Sequence, residues 1–383
     1  MEKSRVAVIR CESYQEEEVQ SAVQRGLDLL GGVGSLVRRG EKVLLKPNVL
    51  AGEKPERCVS THPSVLKAAG RIFQQAGADL RYGDSSGFGK PASQMRKAGL
   101  SQVAEQLGIP LTDFEKGSEV IFTNSPFTKK FIIAQGVLES DCIISLSKMK
   151  THQLTRFTGA VKNQFGCIPG MLKPEFHVKM QSALDFSKML VTLNLLLKPR
   201  FFIMDGVMAM EGNGPRSGDP VRMNVLLFSG DPVALDAAAC RMIDLDPEYV
   251  PTSRPGREWG LGVYARKEIE MLGDPIEDFI NRSFNVNRVS PLPVGNNRGM
   301  LSVIRNVFTS RPVIDPHRCV RCGVCVTVCP VKPKALNWRE EKVNPPRYIY
   351  RNCIRCFCCQ ELCPERAIHV KTPPLGRLVF GEK

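Results

Sequence analysis

Two cysteine runs constrain this chain more than any other feature of its 383 residues. Cys319-Val-Arg-Cys322-Gly-Val-Cys325-Val-Thr-Val-Cys329-Pro330 and Cys353-Ile-Arg-Cys356-Phe-Cys-Cys359-Gln-Glu-Leu-Cys363-Pro364 share the pattern C-x2-C-x2-C-x3-C-P at a 34-residue offset. The x2 spacing lets one loop set three thiolates on a [4Fe–4S] cube while backbone N–H groups face the sulfurs. The fourth Cys reaches a second cube, and the proline turns the chain away. Zinc is the alternative, but a zinc site takes four ligands and rarely uses two interlocked four-Cys runs. Nine of the fourteen cysteines lie between Cys319 and Cys363, and the N-terminal residues lack a signal-peptide apolar core. That combination favours metal ligation in a reducing compartment over a disulfide scaffold.

The paired runs resemble the bacterial two-cluster ferredoxin over roughly residues 311–372. The resemblance implies Cys319, Cys322, Cys325 and Cys363 on one cluster and Cys353, Cys356, Cys359 and Cys329 on the other. The chemistry offered is one-electron transfer, done twice. Two departures stand out. Cys329 is followed by Pro-Val-Lys-Pro-Lys before Ala335, two residues more than the Pro-Glu-Arg between Cys363 and Ala367. Cys358 occupies a spacer position and is expected to be a non-ligand thiol beside a cluster.

Charge narrows the partners. The chain has 53 Lys+Arg against 39 Asp+Glu, and residues from 311 onward hold 14 against 6. Each oxidised cluster with its thiolates carries about −2, so part of that local excess is internal compensation. No basic helix, recognition motif or series of stacking aromatics accompanies the charge, so nucleic acid is not an expected partner. The longest apolar run, Met189 to Leu197, is interrupted by Thr192 and Asn194 and is too short to span a bilayer. A soluble, cytoplasmic protein is expected.

The first two-thirds alternate strand-like and helix-like patterns. Val6–Ile9, Val43–Leu45, Leu80–Tyr82, Cys142–Leu146, Phe201–Met204 and Val225–Phe228 read as buried strands. Residues 16–30, the stretch from Pro63 to Gly77, and Asp231 through Ile243 read as helices with their caps. This alternation predicts an α/β domain, a mainly parallel sheet flanked by helices, over residues 1–282. A linker with a short helix, Leu301–Phe308, is expected over 283–310, and a small α+β ferredoxin-like domain over 311–383.

Open α/β sheets bind ligands beyond their strand ends, and polar residues gather there. Lys46 and Asn48 follow the second strand, and Asp84, Ser85 and Ser86 the third. Lys148, Lys150 and His152 follow Cys142–Leu146, with Lys162 and Asn163 shortly beyond. Asp205 closes Phe201–Met204, and Glu211 opens a Gly-rich turn. The cations and amides, Lys46, Asn48, Ser85, Ser86, Lys148, Lys162 and Asn163, suit an anionic ligand. His152, Lys150, Asp84, Asp205 and Glu211 are the candidates for moving protons. No nucleotide motif survives inspection. A phosphate-binding loop at Lys90 has Asp84 where its first glycine belongs, and Gly87-Phe-Gly89 starts too far from its strand. Cys167 is the one scattered thiol that follows such a loop.

Taken in order, Lys46-Pro-Asn48, Thr61-His-Pro63, Gly83-Asp-Ser-Ser-Gly87, Lys148-Met-Lys-Thr-His152, Thr158-Gly-Ala-Val-Lys-Asn163 and Glu211-Gly-Asn-Gly-Pro215 resemble the domain-of-unknown-function family 362, over about residues 5–280. The resemblance implies an α/β domain often joined to iron–sulfur clusters, in bacteria and archaea, many of them anaerobic. It confers no reaction. Three readings follow: an oxidoreductase passing electrons to or from an anionic small molecule, an electron carrier or adaptor that docks a redox partner protein, and a cofactor or metal assembly factor.

Overall fold

The computed structural model describes residues 3–180, 182–290, 308–340 and 342–376. In chain order its first ten strands are β1 (Ser4–Arg10), β2 (Lys42–Pro47), β3 (Asp79–Tyr82), β4 (Gly117–Ile121), β5 (Lys130–Ala134), β6 (Cys142–His152), β7 (Arg156–Thr158), β8 (Phe201–Glu211), β9 (Asp219–Ser229) and β10 (Ile269–Gly273). β4 and β5 form a separate hairpin; the others make one sheet ordered β10-β1-β9-β8-β6-β2-β3, with β7 folded back on β6. β3, β2, β6 and β8 run parallel. β9 returns antiparallel between β8 and β1, and β1 runs parallel with β10. The expected mainly parallel α/β architecture is therefore present.

Successive strand side chains point to opposite faces, and the buried residues divide accordingly. Ala7, Ile9, Val43, Leu45, Ile144, Leu146, Phe201 and Ile203 join the core beneath the helices Glu16–Leu29 and Pro63–Gln75. Their neighbours Val6, Val8, Phe202 and Met204 pack under the helix Pro232–Met242, and Leu44 and Ile143 under Ala183–Leu197. Both faces are covered, as a parallel sheet requires. Asp231 starts its helix by accepting from the N–H groups of Val233 and Ala234.

Two strands outrun their apolar stretches. β6 continues past Leu146 to His152 with all eleven residues buried, so Lys148, Lys150 and His152 lie within the strand and not in a loop after it. β8 likewise extends to Glu211, which puts Asp205 inside the strand instead of at its close. At the first of these positions the buried charges pair across the strands. Lys148 and Asp205 are register partners, and Lys148 Nζ sits 2.8 Å from Asp205 Oδ2.

The cysteine-rich module pairs β11 (Arg311–Ile314) with β14 (Ile368–Lys371), and β12 (Leu336–Asn337) with β13 (Arg347–Tyr348). The sequence repeat is also a repeat of backbone conformation. Arg321 and Arg355 have φ of 60° and 61°, and Gly323 and Phe357 have 83° and 61°. Each run then enters a one-turn helix, Val324–Thr327 or Cys358–Glu361. The expected helix at 301–308, except for Phe308, and the linker stretch 291–300 lie outside the described residues.

Candidate functional site

The two runs fold their thiols into two rings. Cys319, Cys322, Cys325 and Cys363 line one cavity of about 350 Å³, and Cys329, Cys353, Cys356 and Cys359 line another of about 350 Å³. Each ring takes three thiols from one run and its fourth from the other. Among the described residues no three Cys, His, Asp or Glu groups are arranged to hold a single metal ion. The thiols thus surround a space and not a point, and this donor set fits a [4Fe–4S] group. The Tyr348 hydroxyl donates to Cys359 Sγ at 3.3 Å, and the Ala367 N–H donates to Cys363 Sγ at 3.3 Å.

A third cavity, of about 740 Å³ including its mouth, opens at the C-terminal ends of β2 and β3 and beside the end of β6. The large domain supplies Asn48, Asp84, Ser85, Lys150, Lys162 and Asn163, and the cysteine-rich module supplies Cys358, Glu361 and Leu362. The one-turn helix Cys358–Glu361 is therefore a shared wall. Cys359 faces the second ring, while Cys358 and Glu361 face the pocket.

Each pocket cation is held differently. Lys46 Nζ lies 2.8 Å from Asp84 Oδ1 and donates to Asn163 Oδ1 at 3.2 Å, just behind the pocket surface. Asp84 also accepts from the Val49 N–H at 2.6 Å. Gly166 makes this arrangement possible, because a Cβ there would stand 1.8 Å from Asp84 Oδ1. Lys150 Nζ donates to Asn48 Oδ1 at 2.6 Å and to Val59 O at 2.7 Å. Burial first, then repulsion from Lys162 and Lys148, push its ammonium down to about 7. Lys173 Nζ donates to Ser85 O and Ser86 O at 2.6 and 3.1 Å, and burial brings it to about 7 as well. Lys162 makes no hydrogen bond or ion pair among the described residues. Burial lowers its pKa too. Lys150, Lys162 and Lys173 thus line the pocket with Asp84 and Glu361, and Lys46 pairs with Asp84 from behind, so basic groups outnumber carboxylates there and suit an anionic ligand.

His152 is held away from this space. Its Nδ1 accepts from the N–H groups of Leu154 and Thr155 at 3.0 and 3.3 Å, which leaves the proton on Nε2. Nε2 stands 2.8 Å from Glu361 Oε1. Burial, reinforced by Lys162, pushes the imidazole down to about 4. Burial works to raise the Glu361 carboxyl, but the contact with His152 and the charge of Lys162 outweigh it and hold the group low.

Of the residues singled out in the sequence, the fold brings Asn48, Asp84, Ser85, Lys150, Lys162 and Asn163 to the pocket, with Lys46 directly behind. Ser86 contributes its carbonyl to Lys173, and its hydroxyl turns to Phe88 and Gly89. Lys148 and Asp205 form a separate sealed network, in which the Tyr14 hydroxyl donates to Asp205 Oδ1 at 2.7 Å and the His62 N–H to Oδ2 at 2.9 Å. Glu211 accepts from the Asn285 N–H at 2.7 Å, outside the pocket. The turn it opens instead docks the module: Gln360 Nε2 donates to Asn213 O at 2.8 Å, and Arg216 donates to Leu362 O at 3.0 Å. Cys167 is fully buried, with burial pushing its thiol to about 12. Sequence reasoning missed Lys173, the pocket roles of His177 and Phe165, and Glu361. His177 stacks on Phe186 with centroids 4.4 Å apart, and its buried Nδ1 has no hydrogen-bond partner. Lys173-Pro174 at a helix start was the one visible signal for the first of them.

Among the described residues no helix is long and apolar enough to cross a membrane. The chain is similar over residues 311–364 to the 4Fe-4S dicluster domain. It is 32% identical over 304 residues to thylakoid-associated protein sll1697 of Synechocystis sp., covering 79% of this chain and 94% of that one. Two solved structures align with part of the chain. The lactate racemase apoprotein of Thermoanaerobacterium thermosaccharolyticum aligns with 12% identity and a TM-score of 0.44, over 63% of this chain and 57% of that one. A Thermotoga maritima protein aligns with 16% identity and a TM-score of 0.36, over 55% of each chain. The chain covers less than two thirds of either structure. Residues 43–241 match the family described as domain of unknown function DUF362, and the chain, an iron–sulfur protein by its second domain, belongs to that family.

Proposed function

We propose that this chain is an oxidoreductase that holds two [4Fe–4S] clusters and exchanges electrons with an anionic small molecule bound in the lysine pocket. The observation that carries the reading is the shared wall: one helical turn, Cys358–Glu361, borders both the pocket and the ring of Cys329, Cys353, Cys356 and Cys359. The eight ring cysteines are the ligands in this reading, in the crossed sets the cavities display. The clusters, when bound, supply one-electron transfer at each ring.

The chain's own residues do the rest. Lys162, free of any partner among the described residues, neutralises the ligand's charge. Lys150 and Lys173 are fixed by amide and carbonyl oxygens and present their remaining N–H bonds to the ligand. With pKa values near 7, each can give up a proton at neutral pH as charge builds on the ligand. Asn48, Ser85 and Asn163 orient it, Asp84 is kept in place by Lys46, and His152 positions Glu361. A large domain over 1–282 and a cluster domain from 311 belong to the same reading. So does a reducing, cytoplasmic setting, since Cys11, Cys58, Cys142, Cys167 and Cys240 are all unpaired thiols.

The test is anaerobic turnover with excess reductant and fractionated small-molecule extract, followed by cluster absorbance. Sustained reductant consumption with one fraction, abolished in Lys150→Met, is the expected result. Rapid oxidation by a protein fraction, with no small-molecule fraction consuming reductant, would overturn the enzyme reading in favour of an electron carrier.

A further inference from the structure

The positive charge of the cysteine-rich module is not evenly spread. The stretch after Cys329, Val331-Lys332-Pro333-Lys334, is the part that breaks the repeat. The fold lays it beside the second ring, where Asn352 Nδ2 donates to Pro333 O at 3.4 Å. Half-buried Tyr350 packs against Val331 and Ala335 of the same segment, with the Arg311 guanidinium 4.7 Å and that of the buried Arg355 5.1 Å from its ring centroid. Lys371 is the register partner of Arg311. Lys332, Arg351 and Lys371 are exposed. The segments that build this face, 308–314, 329–335, 347–357 and 370–373, contain no Asp or Glu. The segments around the first ring instead interleave Arg318, Arg321, Arg339 and Lys342 with Asp315, Glu340 and Glu365.

The face also leads inward. Tyr350 stacks on Tyr348, with centroids 5.3 Å apart and planes 9° from parallel, and the Tyr348 hydroxyl donates to Cys359 Sγ. An uninterrupted cationic surface joined by two stacked rings to a ring thiol has the form of a docking site for a negatively charged redox protein. A bilayer surface would want a continuous apolar face, whereas Ile349, 38% exposed, is the large apolar side chain exposed in these segments among the described residues.

We propose that this face docks a small acidic electron-carrier protein, steered by Arg311, Lys332, Arg351 and Lys371 and seated against Tyr350. The proposal rests on the reading that the neighbouring ring holds a [4Fe–4S] group. One electron passes between the carrier and that group, and no bond forms or breaks.

An acidic [2Fe–2S] ferredoxin is a suitable probe. Its affinity for the holoprotein is measured by calorimetry at rising ionic strength, and its rate of electron delivery by stopped flow. Photoreduced deazaflavin serves as the small control reductant. Binding and delivery should weaken steeply with salt. The double variant Lys332→Glu, Arg351→Glu should lose about tenfold or more in affinity while its reduction by deazaflavin stays normal. The control pair Arg339→Glu, Lys342→Glu should change little. Salt-independent binding, no binding, or equal losses in the two pairs would overturn the docking face. So would loss of binding to anionic phosphatidylglycerol vesicles in the first pair with ferredoxin affinity untouched, which would assign the face to a membrane surface. Failure of deazaflavin to reduce the wild-type protein would overturn the iron–sulfur reading itself, a separate result from normal reduction without docking.

Discussion

β6 carries Lys148 and Lys150 two residues apart, and their surroundings could hardly differ more. Lys148 meets a carboxylate, Asp205, and a tyrosine hydroxyl, with both members of the ion pair buried. Lys150 meets an amide and a carbonyl oxygen at the edge of a cavity that also holds Lys162 and Lys173. The first lysine is neutralised inside the fold. The second has only neutral acceptors at hydrogen-bond distance, so burial brings its ammonium down to about 7, and an anion beside it would restore the charge. A buried cation paired with a carboxylate reads as architecture, and one held by neutral oxygens reads as an invitation to an anion.

The sharpest way to break that comparison is to remove one member from each side. Asp205→Ala leaves Lys148 buried without its counter-charge and should cost about 3–5 kcal/mol in urea unfolding. Lys162→Met removes a cation with no carboxylate in ion-pair contact among the described residues, only the more distant charge of Glu361, so stability should stay within about 1 kcal/mol or rise. Equal losses in the two variants would dissolve the distinction. Titration sharpens it further. Native pKa values near 7 for Lys150 and Lys173 lie below the ordinary lysine value of 10.5. Between those limits the unfolded chain binds more protons than the native one, so stability rises with pH. Melting temperatures of the wild type should therefore climb from pH 7 toward pH 9 relative to the double variant Lys150→Met, Lys173→Met. Parallel curves would place the two pKa values elsewhere. The mildest contrast lies in the cysteines. Cys358→Ser, on the pocket side of the shared wall, should retain its iron in full, whereas Cys322→Ala should lose about half of it. Iron loss in Cys358→Ser would move that residue into a ring.

Much of this could be read before the fold was seen, for identifiable reasons. Local patterns carried the α/β architecture: the apolar parity of Val6–Ile9 and Val43–Leu45, Pro63 at a helix start, and Asp231 as a cap. The lysine-bearing segments were legible as a set because they lie at or near the ends of parallel strands. Their roles were not, since pairing across a sheet is non-local. Nothing near Lys148 in sequence names Asp205 as its partner, and the apolar runs stop several residues before β6 and β8 do. Glu361 was hidden for a different reason. It occupies a spacer of the second cysteine run, where periodicity cannot tell which side chains face the ring and which face away. β4, with four of its five residues exposed, offered no apolar pattern to find.

The single helical turn between ring and pocket has a consequence for how this protein behaves when iron is scarce. Because Cys358–Glu361 belongs to the wall of both spaces, any shift of that turn on filling one would change the affinity of the other. In the proposed reading that coupling is reciprocal: whatever factor a filled ring adds to the affinity for a molecule among the lysines, that molecule adds to the ring's hold on its group. If the pocket ligand and the cluster both favour one position of that turn, a chain starved of metal would hold its ligand less tightly as well.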